Sequence, residues 1–117
     1  MKLIENEEVI FFDVDETLIF FNGVGRFAHN DSIKVNYYGE ERMVSPHKEH
    51  ISFLKSLKAR GHTIFVWSHN GNKWANEVIQ KLGLVKYVDF CMTKPHRVVD
   101  DSKIEDWCKT IYIPQKK

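Results

Sequence analysis

The sequence predicts an α/β fold built on a parallel sheet, and three observations carry that reading. Two apolar runs, Val9 to Phe12 and Thr63 to Trp67, stop abruptly at polar residues. Strands buried on both faces of a parallel sheet read this way. Two stretches with helical apolar spacing, one opened by Pro46 and one near Asn72, are closed by Gly61 and Gly83, the residue that favours helix ends. The order strand, hairpin, helix, strand, helix, strand then alternates as α/β chains do.

Residues 8–13 are the first strand. Asn22, Gly23 and Gly25 follow and break regular structure. Ser32 to Tyr37 alternates in polarity, 38–41 reads as a turn, and Arg42-Met43-Val44 resumes the alternation. That pattern predicts a small hairpin. Ile51, Phe53, Leu54 and Leu57 give the first helix its apolar stripe, with Lys58 and Arg60 in its last turn. The second strand, 63–67, runs into the flexible Ser68-His69-Asn70-Gly71, and the second helix covers about 72–82. Val85, Val88, Phe90 and Met92 lead into Thr93-Lys94-Pro95. Residues 97–101 read as a short strand ending in Asp100-Asp101, 102–108 as a short helix, and 110–113 as a last strand before a basic tail. There are no repeats or low-complexity segments, and the chain reads as one domain over 1–117.

Bulk properties exclude several function classes. Seventeen basic residues against sixteen acidic ones leave a net charge of +1, too little for bulk nucleic-acid or membrane binding. No apolar run approaches membrane-spanning length, and the first eight residues lack a signal-peptide pattern. Cys91 and Cys108 form no CxxC and read as reduced thiols of a cytoplasmic protein.

The chemistry concentrates at Asp13-Val14-Asp15-Glu16-Thr17. Carboxylates at i and i+2 share a face while the chain is extended. Two that close repel, share a proton or hold a cation, and hard oxygen ligands suit magnesium. The plain alternative is a carboxylate-rich turn whose Asp and Thr bond only the backbone. Against it stand the other strand tips. In a parallel sheet Asp13/Asp15, Ser68 and Asp100/Asp101 emerge on one side, with Lys94 on the approach. Four carboxylates, a hydroxyl and an ammonium suit a divalent metal plus a phosphoryl group.

In these motifs, and in their order, the chain resembles the haloacid dehalogenase superfamily of phosphatases. Asp13 to Thr17 matches that family's first motif, Ser68 the second, Lys94 the third and Asp100-Asp101 the fourth. The spacing also resembles small phosphatase-like proteins of bacteriophage genomes. The resemblance implies a three-layer Rossmann-like sheet with helices on both faces and a hairpin flap (about 20–46) after the first strand. It implies a magnesium-dependent phosphomonoesterase in which Asp13 is the nucleophile, giving an aspartyl-phosphate. Asp15 is then the general acid and later the base. Asp13, the Asp15 carbonyl and one or both of Asp100 and Asp101 hold the metal. Ser68 and the backbone after it, His69, Lys94 and Thr17 line or brace the phosphate site. Glu16 departs from the glycine commonest at its place. About four residues separate 88–92 from 97–100, while a parallel crossover needs about a dozen. An irregular segment is therefore expected to bring Lys94 to the cleft, with Lys103 in reserve.

Other residues carry plainer expectations. His47 and His50, at i and i+3, read as surface histidines, since zinc needs three or four converging ligands. His69, beside Ser68, stands over the cleft. Cys91 and Cys108 read as small buried or half-buried residues. Phe20, Phe21, Phe27, Tyr37, Tyr38, Trp67 and Trp74 close the core, with Phe20 and Tyr38 marked for base stacking. A flap without a larger lid is the family's capless arrangement. It leaves a site open to nucleotide or polynucleotide-end phosphates, or to a phosphoprotein, unless a second subunit closes it. The rivals are a non-catalytic module that binds a phosphorylated partner through the same cleft and, more distantly, a zinc-binding interaction domain.

Overall fold

The computed structural model describes residues 7–21 and 31–114. Phe27 and the middle of the expected flap insert lie outside the described residues. Strands β1 (Val9–Asp13), β2 (Ile19–Phe21), β3 (Ile33–Tyr37) and β4 (Glu40–Pro46) precede helix α1 (Lys48–Ala59). Strand β5 (Thr63–Ser68), helix α2 (Asn72–Lys81) and strand β6 (Phe90–Thr93) follow. Two sheets result: a parallel one in the order β1-β5-β6, and an antiparallel one in the order β2-β4-β3.

In the parallel sheet Phe12 pairs with Val66 and Phe11 with Phe65, so alternate residues share a face. On one face Phe12, Ile64 and Val66 join a single core with Leu54 and Leu57 of α1 and Trp74, Ala75, Val78 and Ile79 of α2. Each fully buried Val, Leu or Ile there contributes about 1.5–3 kcal/mol. On the other face Phe11, Phe65 and Phe90 stack with ring centroids 4.7 and 4.8 Å apart. Phe11 remains 39% exposed and Phe90 57%. Both helices therefore pack on one side, and among the described residues no α-helix covers the other. The expected second helical layer is not formed by the described residues, although both apolar runs read as buried on two faces.

The hairpin forms as its alternation requires, turning at Tyr38-Gly39, both with positive φ (51° and 89°). The short β2 adds to it: Phe20 pairs with Ser45, is fully buried and stacks on His47. Phe20 is therefore a core residue with no face to offer a base. His47 and His50 are buried too, correcting the surface reading. His47 accepts the His50 N–H as the N-cap of α1, and the two rings stack 3.8 Å apart.

Two expected strands are absent. Residues 97–101 are irregular and exposed. β6 is a true parallel strand, and the three residues between it and Arg97 are far too few for a crossover. Asp100 instead accepts the Asp101 N–H at 2.7 Å, the local bond that favours turns. Residues 110–113 form no strand either. Tyr112 packs edge-on against both histidines, and the Ile113 N–H donates to His50 Nε2 at 2.8 Å. The short helix expected at 102–108 shrinks to a 3₁₀ turn, Ile104–Asp106. Cys91 is half-buried as expected, whereas Cys108 is exposed.

Candidate active site at the ends of the parallel strands

Asp13 is the last residue of β1, and the chain after it folds into a tight loop. The Val14 carbonyl accepts the N–H groups of Thr17, Leu18 and Ile19 at 3.2, 2.9 and 3.2 Å. Glu16 takes φ 62° to make that turn. This is the left-handed conformation that costs an L-residue about 1–2 kcal/mol and glycine almost nothing. The loop folds Thr17 back, and its hydroxyl donates to Asp13 Oδ2 at 3.0 Å.

The other oxygen, Asp13 Oδ1, faces the Lys94 ammonium at 3.7 Å. Lys94 follows β6 directly, and its N–H extends the ladder to the Ser68 carbonyl at 2.9 Å. Its side chain reaches back over the central strand, with the ammonium 5.8 Å from the centre of the Trp67 ring. Trp67 is the strand partner of Asp13. A regular strand, rather than an irregular segment, thus delivers Lys94. Lys103 lies exposed just before the 3₁₀ turn.

Asp15 has a different set of partners. Its Oδ2 accepts from Ser68 Oγ at 3.0 Å and from Asn70 Nδ2 at 2.8 Å. Its Oδ1 accepts from Trp74 Nε1 at 2.7 Å. Ser68 is fully buried. Its hydroxyl proton goes to Asp15, and its oxygen also accepts the Asn70 N–H at 3.0 Å. In this arrangement Ser68 braces Asp15 and has no proton left for a phosphoryl oxygen. His69 is exposed, its ring 5.6 Å from that of His96.

The hairpin closes on this loop. Tyr37 Oη donates to Asn70 Oδ1 at 3.0 Å, and Tyr38 Oη donates to the Asn70 carbonyl. Gly71 sits beneath at φ 102°, where an added Cβ would lie 2.8 Å from Tyr38 Oη. From the far side His50 supports the first loop. Its Nε2 accepts from Ile113, so the proton is on Nδ1, which donates to the Thr17 carbonyl at 2.8 Å.

The structure thus gathers Asp13, Thr17 and Lys94 into one group and Asp15 and Ser68 into another. Asp100 and Asp101 lie exposed on the irregular segment. Among the described residues no three His, Cys, Asp or Glu side chains are grouped to hold a metal ion. Magnesium does not need such a cage: it keeps several waters and takes one or two carboxylates plus substrate phosphate. Among the described residues Asp13 has one oxygen bonded by Thr17 and the other facing the Lys94 ammonium beyond hydrogen-bond distance. A partly exposed carboxylate of this kind fits that mode. The side-chain oxygens of Asp15 do not, being bonded to three donors.

Asn70, Trp74 and Tyr37 were not singled out as site residues from sequence. Trp74 carried one usable signal: an inward-facing indole on a helix that follows a strand tip needs an acceptor for its N–H. No helix among the described residues is long and apolar enough to cross a membrane. The chain matches no protein-family model, no curated protein and no solved structure.

Proposed function

We propose that the protein is a phosphomonoester hydrolase working through an aspartyl-phosphate on Asp13. The observation that carries this reading is the Asp13 carboxylate fixed on one oxygen by Thr17, with its other oxygen 3.7 Å from Lys94. A carboxylate approaching a phosphate dianion meets Coulomb repulsion, and an ammonium at this place offsets it. The Asp13 carboxylate attacks phosphorus while Asp15 gives a proton to the leaving oxygen. Asp15 then takes a proton from the water that hydrolyses the acyl phosphate. In this reading the sheet and hairpin are a reduced form of the haloacid dehalogenase fold.

Magnesium is the proposed cofactor, held by Asp13 with the Asp15 carbonyl and Asp100 or Asp101. When bound it would add positive charge against the phosphoryl oxygens. Among organic phosphates we rank nucleotide and polynucleotide ends first, on the exposed Tyr38 beside Asn70. A phosphate-binding module without turnover is the rival, favoured by the engagement of both Asp15 oxygens. Hydrolysis of p-nitrophenyl phosphate with and without magnesium, by the wild type and Asp13→Asn, separates them. We expect turnover that Asp13→Asn lowers by about 10³-fold or more. No turnover on this or a broad phosphate panel leaves the binding module.

A further inference from the structure

We propose that Tyr112 and Ile113 form a latch that positions Asp13, acting through His50 and Thr17, an inference that rests on the phosphatase reading above. The loop after Asp13 is held from behind by the start of α1. The His47 N–H donates to the Leu18 carbonyl at 2.8 Å, and His50 Nδ1 donates to the Thr17 carbonyl at 2.8 Å. The Thr17 hydroxyl in turn donates to Asp13 Oδ2. His50 also ties this loop to the end of the chain, because its Nε2 accepts the Ile113 N–H at 2.8 Å.

A neutral imidazole satisfies both nitrogens when one donates and the other accepts. Here a backbone carbonyl faces one nitrogen and a backbone N–H faces the other, so one tautomer and one ring orientation fit. A flip of the ring about its bond to Cβ would carry both nitrogens away from both partners. His47 stacks on the ring at 3.8 Å, and Tyr112 meets it edge-on at 4.9 Å. With Tyr112 and Ile113 undocked, one of the two bonds opposing the flip is lost and water competes for the other. The Thr17 carbonyl then loses its donor for part of the time, and the hold of Thr17 on Asp13 loosens.

Residues 95–112 are exposed throughout. Little apolar burial holds this stretch, so its docking opens at low cost. The two ends of the stretch meet the two oxygens of one carboxylate. Lys94 faces Asp13 Oδ1 at 3.7 Å, and Ile113 reaches Oδ2 through His50 and Thr17. Seating the latch therefore fixes the nucleophile at the oxygen that the ammonium does not face.

Two full-length variants test this. Ile113→Pro puts a methylene group where the N–H was, and Tyr112→Ala removes the ring that closes on His50. Each is expected to lower kcat on p-nitrophenyl phosphate about threefold to tenfold, the loss of one hydrogen bond, with KM changed less than about twofold. NMR shifts of the ring nitrogens report the tautomer. In the wild type His50 is expected to carry its proton on Nδ1 alone, and in both variants the two nitrogens should move toward averaged values. A tail that only stabilises the fold would lower the melting temperature and leave kcat and the tautomer as they are. Unchanged kcat, or unchanged ring-nitrogen shifts, in the folded variants overturns the latch, and Tyr112→Ala decides alone should Ile113→Pro not fold. The shifts need no turnover. An inert wild type whose His50 nitrogens still respond sinks the phosphatase reading and leaves the latch on the Asp13 loop standing.

Discussion

Lys94 reaches across the central strand to stand 3.7 Å from Asp13 Oδ1, while Thr17 holds the opposite oxygen of the same carboxylate. The distance is that of an ion pair without a hydrogen bond, and both side chains keep about a third of their surface in solvent. A pair of that kind stabilises a fold by about 0–1 kcal/mol. Its value to a reaction that brings a phosphate dianion to a carboxylate is larger. Lys94→Met is therefore expected to leave thermal stability within about 1 kcal/mol of wild type and, on the proposed phosphatase reading, to reduce turnover by about 10²–10³-fold. Melting curves and kcat measured together check this. A large loss of stability with activity intact would make Lys94 structural.

How much of this was legible in the sequence differs from residue to residue. Asp13, Ser68 and Lys94 stood out because an apolar run ending in polar groups marks a strand tip, and parallel strands collect their tips on one side. The helices followed from apolar spacing and closing glycines. Trp74 and Asn70 were missed because their bonds to Asp15 span 59 and 55 residues, and no local pattern announces such a bond. Phe20 lies in the core, as expected of the aromatics, and the burial that removes it as a stacking candidate depends on β2 pairing with β4 across residues 22–43. Val98 and Val99 favoured a strand by composition alone, but the connection preceding them is too short to reach a neighbouring strand position. Nor did composition show that both helices choose one face. That choice left Phe11, Phe65 and Phe90 to stack on one another instead.

Gly71 carries two separate demands, and their sizes differ. Its φ of 102° costs any other residue strain, whereas the contact that a Cβ would make at 2.8 Å is with the tip of an exposed tyrosine, which can move. Gly71→Ala is expected to destabilise by about 1–3 kcal/mol, nearly all of it from the backbone. Adding Tyr38→Phe should then recover little, within about 0.5 kcal/mol. Denaturant midpoints for the single and double variants measure this. Near-full recovery would assign the cost to the clash.

The metal reading makes its own demand on Asp100 and Asp101, which are exposed and irregular. Hydrogen bonding from Asp101 and Ser102 holds the Asp100 carboxyl below the usual carboxylate range, slight burial opposing it, so it is charged at neutral pH. Chelation is expected to abolish turnover, and added magnesium to restore it. Either Asp100→Ala or Asp101→Ala should raise the magnesium needed for half-maximal rate by about 10-fold or more. If both variants titrate like wild type, the pair plays no part in holding the ion.

His47 gives the fold a pH dependence whose sign follows from its surroundings. Burial, and then the neighbouring His50, push its pKa below the ordinary 6.5, with Glu49 and backbone groups opposing more weakly. The folded state therefore favours the neutral ring, whose Nδ1 accepts the His50 N–H and caps α1. Protonation would place a second hydrogen against that N–H. Between the depressed folded value and 6.5 the unfolded chain binds more protons, so stability rises with pH across that window. The contribution is complete above 6.5, is lost as pH falls toward the folded value, and stays constant below it. His47→Asn retains a capping oxygen but removes the titration. The wild type is expected to lose more melting temperature between pH 7 and pH 5 than this variant, whatever the offset between them at pH 7. Parallel melting profiles would show that His47 does not couple to folding.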